Sequence, residues 1–121
     1  VHVRRGDYSR FKEGKFFFDD QVYTSKMTEL KELFEKEGKR CHFLICSNEL
    51  INRENYPGLH ITTGHREPVV DIYALARCDY ILGPPSTFTM WASFYGEVPV
   101  FHLQHAGQQM RLKNAVVTKG I

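Results

Sequence analysis

Apolar positions along the chain fall into several short runs and one long helical stripe. Val1 and Val3 alternate with His2 and Arg4, the period-2 pattern of a strand end entering a sheet. Residues 19–37 predict a helix, because Tyr23, Met27, Leu30 and Phe34 recur at helical spacing, joined by Leu33. Asp19 and Asp20 place negative charge at its start, Glu32 and Lys36 form an i,i+4 pair on its wet face, and Gly38 stops it. The run Cys-His-Phe-Leu-Ile-Cys at 41–46 lacks clean alternation, which suits a strand covered on both faces. Pro57-Gly58 marks a turn before a third strand at 59–62. Pro68 opens a short helix reaching Cys78, and a fourth strand follows at 79–82. Residues 88–95 are apolar almost all round (Phe88, Met90, Trp91, Ala92, Phe94, Tyr95), which predicts a buried helix, ended by Gly96. A fifth strand is expected at 98–103, and the polar tail, 104–121, carries no pattern that places it. Strand and helix alternate throughout, so the expected fold class is α/β: a Rossmann-like parallel sheet with helices on both faces.

Length and charge narrow the picture. At 121 residues the chain is one domain with a single core. It lacks an initiator methionine and begins inside a strand, so it is expected to be a fragment of a longer chain. A net charge of +2 does not suggest a nucleic-acid binder, which would concentrate basic residues on one face. No apolar run approaches the ~18 residues of a membrane helix, and no signal-peptide pattern is present. Cys41, Cys46 and Cys78 are odd in number and sit in apolar runs. They predict buried free thiols in a reducing compartment, cytoplasmic if the source is bacterial. No Cys pair has zinc spacing, and His102 and His105 lack a third ligand nearby, so no metal is expected. Phe16, Phe17 and Phe18 would be costly to expose together and are expected to pack under their loop or face a missing domain.

In parallel sheets ligands bind outside the carboxyl ends of the strands. Residues 4–7, 47–49 and 83–87 fall there. Neighbours on a strand point to opposite faces, so one of Arg4 and Arg5 can face a cleft while the other braces a neighbouring element, and Gly6 lets the chain turn. A guanidinium binds phosphate oxygens in a bidentate, permanently charged fork; the alternative is a structural salt bridge, for instance with Asp7. The turn Gly83-Pro84-Pro85-Ser86-Thr87 feeds a helix start, which is either an anion site or an ordinary N-cap. It lacks the glycine pattern and lysine of a P-loop, which argues against nucleoside triphosphate hydrolysis. Asp71 either accepts hydrogen bonds from a base or sugar edge or is a charge stabilised by a helix dipole.

Three of these stretches carry a resemblance. His2-Val3-Arg4-Arg5-Gly6-Asp7 resembles the HxRRxD motif of α1,2-, α1,6- and protein O-fucosyltransferases. Residues 71–82 are similar to the family's helix–strand segment, and 85–92 to the Ser-Ser-Thr-Phe stretch of the α1,2 group, glycosyltransferase family 11. The chain departs from that pattern at Gly83-Pro84-Pro85 and Thr89-Met90.

The resemblance implies the donor-binding, carboxyl-terminal half of a GT-B-type enzyme that transfers fucose from GDP-fucose to a glycan hydroxyl, with inversion and without a metal or other cofactor. The partners implied are a GDP-sugar, a glycan acceptor and the missing amino-terminal domain of the same chain. By position, Arg4 would bind the β-phosphate near the breaking bond, Arg5 would help hold the motif and the donor, and Asp7 would orient the arginine pair. His2 and Asp71 would recognise the guanine side, and Ser86 and Thr87 the pyrophosphate, with Phe88 packing nearby. Adjacent arginines would keep Asp7 a weak base, which leaves deprotonation of the acceptor to the missing domain. The alternatives are a nucleotide-sugar or phosphate-binding module without turnover, and an interaction domain that keeps the fold alone.

Overall fold

Adjacent residues on each strand go to opposite layers, and this sorting organises the molecule. The computed structural model describes residues 1–5 and 14–120. Its elements run β1 (His2–Val3), α1 (Asp20–Glu35), β2 (Phe43–Ser47), β3 (Ile61–Thr63), α2 (Pro68–Leu75), β4 (Ile81–Gly83), α3 (Thr87–Gly96) and β5 (Val100–His102). Two parallel ladders form, β1–β2–β3 and β4–β5. They meet where β4 lies against β1: a Cβ added at Gly83 would stand 3.1 Å from the His2 carbonyl oxygen. The edge-to-edge order is therefore β3–β2–β1–β4–β5.

Phe43, Ile45, Leu82 and Phe101 join Tyr23, Met27, Leu30 and Phe34 of α1 in one apolar cluster. Their strand neighbours Leu44, Cys46, Ile81 and Val100 join Leu75, Ala92 and Phe88 in a second, under α2 and α3. With both faces covered, β2 has no polar side to show, which is why its sequence does not alternate. The result is a small α/β domain of Rossmann-like topology, with parallel sheets flanked by helices.

Helix α1 follows its sequence closely. Asp19 caps it, accepting a hydrogen bond from the Val22 N–H at 3.0 Å. Gly38 turns the chain away with φ of 77°. Its ion pairs are Lys26–Glu29 and Lys31–Glu35, at 2.9 and 3.3 Å, in place of the expected Glu32–Lys36.

Helix α3 corrects the expectation of a buried helix. Its inward residues are Thr89, Ala92 and Ser93, while Trp91, Phe94 and Tyr95 are 37%, 49% and 59% exposed. The reason is close approach. Gly83 meets the Thr89 methyl, and a Cβ at Gly96 would lie 2.0 Å from the Ala76 carbonyl oxygen. Only small side chains fit between α3 and its neighbours. Gly96 is thus a contact glycine inside the helix, and Glu97, at φ 55°, makes the left-handed turn.

Other expectations shift by less. Helix α2 stops at Leu75, short of Cys78. All three cysteines are free, but Cys46 alone is fully buried, with its thiol pushed up to about 12, mainly by burial; Cys41 and Cys78 are half-buried. Phe16 and Phe18 pack in the core and Phe17 is exposed. The tail finds a place: Val116 pairs antiparallel with Val100 along the edge of β5. No helix among the described residues is long and apolar enough to cross a membrane.

Candidate functional site

The chain order reverses between β1 and β4. From β1 it runs through α1 to β2 on one side, and from β3 through α2 to β4 on the other. In parallel sheets such a reversal is where a crevice opens between the segments leaving the two strands.

His2, the first residue of β1, is buried, and its ring stacks on that of Phe88, with centroids 4.5 Å apart and planes 21° from parallel. Its Nδ1 has no hydrogen-bond partner among the described residues. Burial pushes its pKa down to about 3, and the Val1 amino group and Arg4 add to the effect. The ring is therefore neutral at physiological pH.

Arg4 and Arg5 leave β1 in a fixed frame. Asn48, just past the end of β2, receives the Arg5 N–H on its Oδ1 at 3.2 Å and donates from Nδ2 to the Arg5 carbonyl at 2.9 Å. This two-pronged clamp was not anticipated from the residues individually. The register that pairs Val3 with Ser47 is what brings Asn48 alongside.

Arg5 is the arginine that braces a neighbour. Its guanidinium reaches the Asp20 carboxylate at 2.5 Å and the Phe18 carbonyl at 3.2 Å. Asp20 also accepts from the Tyr56 hydroxyl at 2.6 Å and the Asn55 amide at 2.8 Å. Partial burial pushes the Asp20 carboxyl up, but the bonds from Tyr56, Arg5 and Asn55 outweigh it and hold the group below the usual range. Arg5 thereby ties the end of β1 to the start of α1. Arg4, the residue after β1, is half-buried. Asp7 lies outside the described residues.

On the β4 side, Ser86 caps α3. Its Oγ accepts from the Thr89 N–H at 3.1 Å and shares a hydrogen bond with the Thr89 hydroxyl at 3.0 Å. Thr87 and Phe88 are the first two helical residues, with Thr87 exposed. Backbone N–H groups in a first helical turn lack intrahelical acceptors and carry the positive end of the dipole.

Comparison with known proteins finds no matching family model, no matching curated protein and no matching solved structure.

The fold thus brings His2 of β1 onto Phe88 of α3, with Arg4 following β1 and the Ser86 cap and Thr87 preceding Phe88 on the same edge. Arg5 turns away from that group to Asp20. Asp71 sits in the first turn of α2, packed with Cys46 of β2 around the turn at Gly64, and Cys46 is the register partner of His2. Asp71 is buried and its Oδ1 accepts from the His65 N–H at 3.1 Å. A Cβ at Gly64 would stand 2.7 Å from that oxygen, so the turn after β3 is folded tightly over the carboxylate. A cavity of about 630 Å³ opens at the opposite edge between Phe34, Arg40 and Tyr80, and none of His2, Arg4, Asp71 and Ser86 lines it.

Chemically, the crevice offers a permanent cation, a helix start with outward N–H groups and a neutral aromatic pair. That set suits an anion carrying a flat or apolar group, and it holds no described acid poised for proton transfer.

Proposed function

We propose that this chain is the donor-binding domain of a GT-B-type, fucosyltransferase-like enzyme, transferring fucose from GDP-fucose to a glycan hydroxyl with inversion. The observation that carries the reading is the stacking of His2, two residues before Arg4, on Phe88, two residues after the Ser86 cap, where β1 lies against β4. The two segments that converge are the ones whose residues resemble the family's first and last motifs.

In this reading the acceptor oxygen bonds to C1 of the sugar from the face opposite the nucleotide. The bond from C1 to the β-phosphate oxygen breaks, its electron pair leaves with GDP, and the hydroxyl proton passes to a base in the amino-terminal domain. The transition state resembles an oxocarbenium ion, and negative charge grows on the departing diphosphate. Arg4 and the N–H groups of α3 stabilise that charge; loss of one such donor costs about 2.7–4 kcal/mol of barrier. Arg5 acts at one remove, by anchoring the segment that presents Arg4.

Titration calorimetry of GDP, with UDP and ADP as controls, tests the reading on this chain and on Arg4→Ala. Selective GDP binding that falls at least tenfold in Arg4→Ala is the expected result. Equal affinity for the three nucleotides, or no GDP binding, overturns it. Selective GDP binding without transfer once the amino-terminal domain is restored would favour a nucleotide-sugar-binding module.

A further inference from the structure

After β5 the chain makes a loop and returns, so that Val116 exchanges both backbone hydrogen bonds with Val100 at 2.8 and 3.0 Å. The loop encloses a cavity of about 490 Å³ at the carboxyl end of β5. We infer that this cavity is an acceptor subsite for an anionic saccharide, a uronate or a sugar phosphate; the inference rests on the glycosyl-transfer reading.

The cavity is built rather than incidental. Gln108 spans the loop's base, donating from Nε2 to the His102 carbonyl and accepting from the Gln104 N–H, both at 2.8 Å. Its own carbonyl accepts from Lys26 Nζ at 2.5 Å. Lys26 is buried in α1 and paired with Glu29, which in turn accepts from the Met110 N–H at 3.2 Å. Burying a lysine carries a desolvation cost. Here buried Lys26 and half-buried Glu29 pin an otherwise polar loop in one shape.

Arg111 and Lys113 make the lining positive; His102, kept toward its neutral form by burial, lines it with His105 and the Gln104 and Gln108 amides, and no carboxylate does among the described residues. Fixed cations select an anion, amides match hydroxyl groups, and the volume suits a small ligand.

Its position supplies the rest of the argument. Gly83 and His102 are register partners, and the Leu103 N–H donates to the Gly83 carbonyl at 2.7 Å. The loop and the turn leading to Ser86 therefore leave the sheet side by side. Along the carboxyl edge the order is Asp71 beside the ends of β3 and β2, Arg4 after β1, Ser86 after β4, then this cavity after β5. With the nucleoside toward Asp71 and the diphosphate between Arg4 and Ser86, the sugar end of the donor faces the cavity.

The test is calorimetric titration of this chain with a hexuronate disaccharide, its carboxyl-reduced neutral analogue, a hexose 6-phosphate and GDP. The same titrations are run on Arg4→Ala and on Arg111→Gln/Lys113→Gln, whose altered residues are exposed; circular dichroism checks their folding. We expect one of the anionic sugars to bind at least tenfold more tightly than the neutral analogue. The double variant should lose that preference and keep GDP binding, and Arg4→Ala should do the reverse. No binding of either anionic sugar, equal binding of the neutral analogue, or an unchanged preference in the double variant overturns the inference. GDP binding without anionic-sugar binding sinks this inference alone. Anionic-sugar binding without GDP binding, lost in the double variant, leaves an anionic-saccharide site and sinks the donor reading.

Discussion

On one face of the sheet α1 turns Tyr23, Met27, Leu30 and Phe34 inward and sets most of its charges in water. On the other face α3 turns Thr89, Ala92 and Ser93 inward and leaves Trp91, Phe94 and Tyr95 outside. The first helix is held by volume. Its large side chains fill the space over the strands, and their burial is worth about 1.5–3 kcal/mol each. The second is held by proximity. Small residues let its backbone approach β4 and the end of α2, with the Ser93 hydroxyl donating to the Val98 carbonyl at 2.6 Å. That proximity delivers the N-terminus of α3 to the end of β1, where His2 stacks on Phe88. The outer aromatics make their own cluster: Trp91 and Tyr95 stack at 5.0 Å, and Tyr73 of α2 stands edge-on to both. A face built for volume stabilises; a face built for proximity positions.

Acid should separate the two faces most strongly. His2 belongs to the α3 face, and its folded pKa, pushed down to about 3, lies below its unfolded value of about 6.5. Its contribution is fully present above pH 6.5 and is lost as pH falls toward 3, because the unfolded chain binds the proton more readily there. This amounts to several kcal/mol. Asp20, on the α1 side, is also held low, so its contribution is lost only below about pH 4, as pH falls through its folded pKa. Urea midpoints measured from pH 8 to 4 should fall for the wild type and stay nearly flat for His2→Phe, which keeps the stack and cannot take a proton. A flat wild-type profile across that range would contradict the neutral, buried His2.

Gly96 in the last turn of α3 and Gly38 after α1 test the contrast next. Gly96→Ala puts a methyl against the Ala76 carbonyl and should cost about 3 kcal/mol, despite the better helix propensity of alanine. Gly38→Ala meets nothing within 4 Å and is penalised only by its φ of 77°, about 1 kcal/mol. Equal thermal stabilities for the two variants would mean that α3 is not held by close approach. The smallest effect is expected at the exposed ring: Trp91→Ala should change folding stability by less than about 1 kcal/mol in a denaturant titration. A loss of 3 kcal/mol there would make α3 a volume-packed helix after all.

Much of this architecture was legible before any coordinates. The helical stripe of α1, its Asp19 cap and Gly38 stop, the non-alternating β2 and the strand–helix alternation are local patterns with local causes. So were the three chain segments at the carboxyl edge, since strand ends are readable in order. What stayed hidden were distances across the fold. Ser86 was a candidate cap or anion ligand, and its hydroxyl is engaged as a cap. Asp71 was a candidate ligand or a dipole-stabilised charge, and it sits buried under the turn after β3. Asn48 carried no signal of its own, because its function comes from a parallel register between Val3 and Ser47, far apart in the chain.

By itself the sequence determined where strands and helices form, because periodicity, caps and breakers act within a few residues. It also determined which charges end up at the strand ends. Tertiary structure alone decided which arginine braces α1, which side of α3 faces inward, and how the tail folds back over β5 through buried Lys26. Those choices depend on how closely two backbones approach. Such approach is set by side chains far apart in sequence that meet only once the sheet has formed.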